Sequence, residues 1–140
     1  MYPFLGLCYL ASALNNDNDL DVDVKIIDSP AENYNVAELL ERIREEKPNI
    51  IGITITTFML NISYRLVQLC RAINPSPTMI IGGTHINHCP TDWEYFQADY
   101  GLRGDCEMTI PSLIKSIINN EDVKDIPGVI YRNDNNNVVI

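Results

Sequence analysis

Residues 47–57 read "KPNIIGITITT", and this stretch decides the fold. Its centre, "NIIGITIT" (49–56), is apolar and β-branched throughout instead of alternating with polar residues. That pattern suits a strand covered on both faces. Two further runs share it, "VDVKIID" (22–28) and "TMIIGG" (78–83). Their centres, Ile26, Ile53 and Ile80, recur every 27 residues. The gaps carry helical periodicity. Val36, Leu39, Leu40 and Ile43 fall at i, i+3, i+4 and i+7, and Ile62, Leu66, Leu69, Cys70 and Ile73 make a second stripe. Pro48 and Pro75 follow where stop signals belong. Strand and helix alternating at this spacing predict a parallel sheet with crossover helices, a Rossmann-like (flavodoxin-like) α/β domain with helices on both faces.

The remainder continues more weakly. "DWEYFQ" (92–97) reads as a short helix and "YGLRG" (100–104) as a short strand. "EMTIPSLIKSIINN" (107–120) reads as a helix with Ile110, Leu113, Ile114, Ile117 and Ile118 inward. Pro111 then belongs in its first turn, where a missing N–H is harmless. "GVIYRNDNNNVVI" reads as a terminal hairpin around an Asn-rich turn. The chain opens inside a helix, residues 7–14, with no strand before it. The expectation is a single domain over 1–140 that lacks its first, central strand and is a fragment of a longer protein. The gap would be filled by residues 138–140 or by another chain, the latter giving a homodimer.

Bulk properties narrow the function. The 140 residues carry a formal charge of −9 and are 46% hydrophobic. A sizeable core follows, while nucleic acid and anionic membrane are poor partners because both are drawn to basic patches. No apolar run approaches the roughly 18 residues of a membrane span. Without a basic leader region the expected location is cytoplasmic. Cys8, Cys70, Cys89 and Cys106 form no C-x-x-C pair and read as reduced thiols.

Ligands of open parallel sheets bind beyond the carboxyl ends of the strands. Those ends read Asp28-Ser29-Pro30, Thr54-Ile55-Thr56-Thr57, Gly82-Gly83-Thr84-His85 and Gly104-Asp105-Cys106-Glu107. Glycine lets a ligand or another backbone come close, and threonine hydroxyls bond adaptably. A large polar-edged cofactor fits such a rim better than proton-transfer catalysis does. His85, His88 and Cys89 are ligand types zinc accepts, but no second pair of ligands is in sight. The competing reading has His85 bonding a neighbouring loop, His88 on the surface and Cys89 packed under the next helix. No phosphate-loop or dinucleotide fingerprint is present. Cys106 lies between Asp105 and Glu107, which raise a thiol's pKa, so it makes a poor nucleophile. Glu107 is expected in the first turn of its helix, favourably placed against the dipole. No catalytic residue and no metal ligand is assigned.

Six pieces, in order, carry a resemblance: "YPFLGLCYLASAL", "VKIID", "KPNIIGITITT", "MIIGGTHINHCP", "GLRGDCEMTIPSLI" and "DIPGVIYR". Together they resemble the N-terminal cobalamin-binding domain of radical S-adenosylmethionine enzymes. The family usually has "GEGE" where this chain has Gly104-Asp105-Cys106-Glu107, and often a proline at Thr84; His85 matches its G-G-x-H. The resemblance implies a corrinoid laid across the carboxyl edge. Gly82 and Gly83 would let its tail pass, Thr54 and Thr56 would bond it with Thr57, Thr84 and His85 beside them, and Gly104, Asp105 and Glu107 would close the far side. A D-x-H-x-x-G loop registered on Gly6 would put its Asp on Met1 and its His on Pro3, so the domain's usual histidine would not ligate cobalt. His85 is an unsuited substitute, since its loop should lie near the nucleotide tail. S-adenosylmethionine and a 4Fe-4S cluster would belong to a downstream radical domain, because no C-x-x-x-C-x-x-C loop is present. On this resemblance the chain alone is not catalytic; it presents cobalamin for methyl transfer or related radical chemistry. The rival reading is a packing or interaction module that keeps the fold and binds no corrinoid.

Overall fold

A computed structural model describes residues 5–140. The chain divides into two compact units, residues 34–103 with 130–140, and residues 1–33 with 104–129.

The first of these units holds the sheet. β1 (Ile50–Thr54) and β2 (Thr78–Gly82) pair in parallel, with Ile50 opposite Thr78 and Thr54 opposite Gly82. β3 (Tyr100–Leu102) runs parallel to β2, Ile80 opposite Tyr100. β4 (Val129–Arg132) and β5 (Val138–Val139) form the expected antiparallel hairpin. The strand order is β1-β2-β3-β4-β5, a mixed five-stranded sheet in a Rossmann-like α/β fold.

Helix α3 (Val36–Glu46) starts at a capping box. The Asn35 side chain accepts from the amides of Ala37 and Glu38, and the Glu38 carboxylate accepts from the Asn35 amide at 2.9 Å. It stops at Lys47, left-handed at φ 49°, just before Pro48. Leu39, Leu40 and Ile43 are buried, as their spacing predicts. Helix α4 (Leu60–Arg71) corrects its expected phase. It buries Cys70, as expected, but with Ser63 and Val67, while Ile62 is half exposed and Leu66 and Leu69 are only partly buried. The apolar spacing fits both stripes, displaced by one residue, or about 100° of rotation. The stripe of smaller side chains is the one turned inward, and α4 packs against α3 and against α6 (Trp93–Phe96).

One carboxylate ties this unit together. Asp99 accepts from Arg71 Nη2 at 2.7 Å and from the Met79 amide at 2.7 Å, while Arg71 Nε donates to the Gln97 carbonyl at 2.8 Å. Met79 is fully buried, so its amide has no access to water. The ion pair itself is part-exposed and weak; the bond to the amide matters more. Asp99→Ala is expected to cost about 2–3 kcal/mol, measured by urea unfolding, because a buried donor is left unpaired. Asp99→Asn, which keeps one acceptor, should lose about half of that.

The second unit contains α1 (Leu5–Asn15), α2 (Ser29–Glu32) and α7 (Ile110–Asn119). α1 and α7 touch, and Lys115 Nζ lies 3.2 Å from Asp19. Pro111 sits in the first turn of α7, as predicted. The helix buries Ile110, Leu113, Ile114 and Ser116, but Ile118 faces solvent, against expectation. Glu107 lies in a turn ahead of α7 and not in its first turn, because the helix begins only at Ile110, beside Pro111.

Residues 22–28 correct the sequence reading most sharply. "VDVKIID" is not a strand. A strand exists only where a neighbour completes its hydrogen bonds, and no strand among the described residues pairs with it. Residues 138–140 do not fill a central gap either: β5 pairs with β4, at the end of the sheet opposite β1. No helix of the described residues is long and apolar enough to cross a membrane.

Candidate functional site

The carboxyl ends of β1 and β2 are laced together by backbone. The Ile55 amide donates to the Gly82 carbonyl at 2.7 Å, and the His85 amide donates to the Ile55 carbonyl at 3.1 Å. Thr54, Thr56, Thr57, Gly82, Gly83, Thr84 and His85 therefore sit on two adjoining loops of one unit. β1 runs into a 3-10 turn, Thr57–Met59, that leaves the Thr56 hydroxyl without a capping bond. Phe58 on that turn is fully exposed. β2 runs through Gly83 into the short helix α5 (Thr84–His88).

His85 is the buried polar centre of these loops. Its Nδ1 lies 3.1 Å from Thr57 Oγ1 and its Nε2 3.0 Å from Asp92 Oδ2. A carboxylate only accepts, so the neutral ring that satisfies both contacts carries its proton on Nε2 and accepts at Nδ1 from the threonine hydroxyl. Both ring nitrogens are engaged, one by Thr57 and the other by Asp92. His85 thus bonds a neighbouring loop, and His88 is exposed, donating from Nδ1 to the Thr84 carbonyl at 2.7 Å. Cys89 does not pack under the next helix; it is exposed, since the chain turns away at Pro90 into a 3-10 turn (Pro90–Asp92). Sequence reasoning missed Asp92 and Phe58. Asp92 follows His85 by seven residues, a separation that only the intervening turn brings to contact.

The glycine pair is closely approached by the protein itself. A side chain at Gly83 would meet Thr54 Oγ1 at 2.6 Å and the Ile55 backbone at 2.8 Å, and its φ is +98°. At Gly82 it would meet the Leu102 carbonyl at 3.3 Å. The space where side chains would go is taken by the protein's own β1 loop and β3, so the glycines permit close strand packing.

Gly104, Asp105 and Glu107 belong to the other unit. Gly104 has φ +81° and open space where a side chain would go. Cys106 donates to the Gly104 carbonyl at 3.1 Å. Burial first, then Glu107 and Asp105, push its thiol from 9.0 up to about 11. Burial likewise raises Cys70 to about 11. All four thiols are free. A two-unit rise leaves about a hundredfold less thiolate at about pH 8. Iodoacetamide is therefore expected to modify exposed Cys8 and Cys89 well before Cys106, with Cys70 last, as read by peptide mass. The fold favours the protonated thiols, so their contribution is complete below about pH 9 and is lost as pH rises through about 11. Melting temperature should fall across that window, and less steeply in Cys106→Ala.

Residues 2–114 match the B12 binding domain family. The chain belongs to that family. It is 33% identical over 132 residues to the uncharacterized methyltransferase PH0819 of Pyrococcus horikoshii, covering 93% of this chain and 28% of that protein. Among solved structures this B12-binding domain resembles the radical S-adenosylmethionine methyltransferase TsrM from Kitasatospora setae, with a TM-score of 0.81 at 21% identity over 97% of this chain and 26% of TsrM. It also resembles the cobalamin-dependent S-adenosylmethionine radical enzyme OxsB with aqua-cobalamin bound, with a TM-score of 0.83 at 18% identity over 98% of this chain and 19% of OxsB. The B12-binding domain thus spans about a quarter of these relatives' length. The positions registered on a cobalt-ligating loop, Met1 and Pro3, lie outside the described residues.

Proposed function

We propose that this B12-binding domain binds cobalamin and presents it to the radical domain of a longer S-adenosylmethionine enzyme. The observation that carries the reading is the family match over residues 2–114. The loops suit the group in part. Thr56 keeps its hydroxyl out of any capping bond, Thr54 and Thr57 stand beside it, and Phe58 offers an exposed apolar ring at the same edge. Uncharged donors and acceptors around an apolar surface are what a corrin with amide arms requires. Thr84 and the Gly82–Gly83 backbone complete that edge. Gly104, Asp105 and Glu107 remain proposed cofactor-binding residues. When bound, the corrinoid supplies a carrier for a methyl group. The chain's own residues hold and orient it, and His85 braces the loop without ligating the metal. S-adenosylmethionine and the 4Fe-4S cluster are assigned to the parent's downstream domain.

The test is retention of the cofactor. The folded chain is incubated with hydroxocobalamin, desalted and read in the visible region. Retained corrin absorbance at about one per chain supports the proposal, and Thr56→Val with Phe58→Ala should weaken it. A colourless, folded sample, both as this chain and as a version extended upstream, favours the rival packing module. Assembly rests on a separate observation. β1 has a hydrogen-bonded neighbour on one side only among the described residues, and such an edge is a template for pairing. A second copy bonded there would double the mass with rising concentration in light scattering. A monomer mass throughout removes that arrangement.

A further inference from the structure

His85, Cys89 and Asp92 bring an imidazole nitrogen, a thiol sulfur and a carboxylate oxygen within 4.8 Å of one another. We propose that these three side chains form a binding site for zinc or a similar borderline-soft divalent cation, a property separate from corrinoid binding.

The backbone builds the cluster. The Cys89 amide donates to the His85 carbonyl at 2.8 Å, a bond that holds Cys89, the residue just past the end of α5, one turn from His85. The Asp92 amide then donates to the Cys89 carbonyl at 3.1 Å, and this second turn returns the carboxylate to the imidazole. Distances suit a tetrahedral ion. Bonds of about 2.0 Å to nitrogen or oxygen and 2.3 Å to sulfur set the ligand atoms about 3.3–3.6 Å apart. The His85–Asp92 pair, at 3.0 Å, has to open by only a few tenths of an ångström. Cys89 is exposed and closes the remainder by turning its side chain.

The surroundings supply the orienting partner that metal-bound histidines need. Thr57 Oγ1 stands 3.1 Å from Nδ1, so with the ring proton moved to Nδ1 it accepts that N–H and Nε2 turns its lone pair to the ion. Binding releases one proton, from the Cys89 thiol, which coordinates as thiolate. Three protein ligands leave a fourth position for water or an incoming donor. The mixed nitrogen, sulfur and oxygen set disfavours magnesium and calcium, which take oxygen.

Cobalt(II) chloride is the probe, added to the full 140-residue chain with no corrinoid present. Expected are the strong visible bands of tetrahedral cobalt and a thiolate-to-metal band in the near ultraviolet, both bleached by equimolar zinc. Cys89→Ser should remove the thiolate band while Cys8, Cys70 and Cys106 remain. Because Cys89 is exposed, this variant should keep the parent's unfolding midpoint. Thr57→Val should weaken affinity about 10–100-fold, and Asp92→Asn at least as much. Weak octahedral absorption, or a thiolate band that survives Cys89→Ser, overturns the site.

Discussion

Gly83→Val loses about 2–6 kcal/mol of folding stability with no cofactor present. The expectation adds two independent strains. At φ +98° and ψ −178° the residue occupies a region that is nearly glycine's alone, worth about 1–3 kcal/mol. Its new Cβ would also press on Thr54 Oγ1 at 2.6 Å and on the Ile55 amide and carbonyl at 2.8 Å. Those are backbone groups held by the Gly82 and His85 bonds, so they yield poorly, adding about 1–3 kcal/mol of overpacking. Against a typical total of about 5–15 kcal/mol, much of the chain would be unfolded at room temperature. Gly82→Ala is the control. Its approach to the Leu102 carbonyl is looser, at 3.3 Å, and a loss near 1 kcal/mol is expected. Urea midpoints of the ligand-free proteins decide the matter. A Gly83→Val chain as stable as the parent would show that the loop does not depend on glycine here.

Trp93→Ala is expected to cost about 3–5 kcal/mol, the range for emptying a buried indole site. Trp93 is 2% exposed, and it stacks against β3 so closely that any side chain at Gly101 would meet its Cδ1 at 2.8 Å. The Arg132 guanidinium lies 5.5 Å from the ring centre, and removing the ring also removes this cation–π attraction. Trp93→Phe should cost clearly less. It keeps most of the ring and deletes an indole N–H that is buried without a hydrogen-bond partner among the described residues. Trp93 is the chain's single tryptophan, so parent unfolding follows its fluorescence and the variants are followed by circular dichroism. Equal losses for alanine and phenylalanine would mean that the N–H has a partner after all.

The parts of the fold that could be read from sequence are those set by local pattern. β1 and β2 lie where unbroken β-branched runs placed them, and α3 starts and stops on a capping asparagine and a pre-proline residue. Residues 22–28 have the same composition but no strand, because pairing is a property of two segments and composition describes one. The phase of α4 failed for a related reason. Its 3.6-residue repeat allows two adjacent stripes, and the neighbouring helices choose between them. The site divides in the same way. That loops 54–57 and 82–85 adjoin follows from parallel β1 and β2. The Thr57–His85–Asp92 chain spans 28 and 7 residues of sequence and has no periodicity to announce it. The glycines were visible, but which atoms crowd them was not.

With the imidazole proton on Nε2, the one hydrogen of the Thr57 hydroxyl is directed to His85 Nδ1. Toward any newcomer that oxygen is therefore a lone-pair surface, receptive to the N–H groups of a primary amide and unfriendly to an oxyanion. Shifting the imidazole proton from one nitrogen to the other reverses this polarity, so a tautomer change on a buried ring would rewrite which chemical groups the neighbouring loop welcomes.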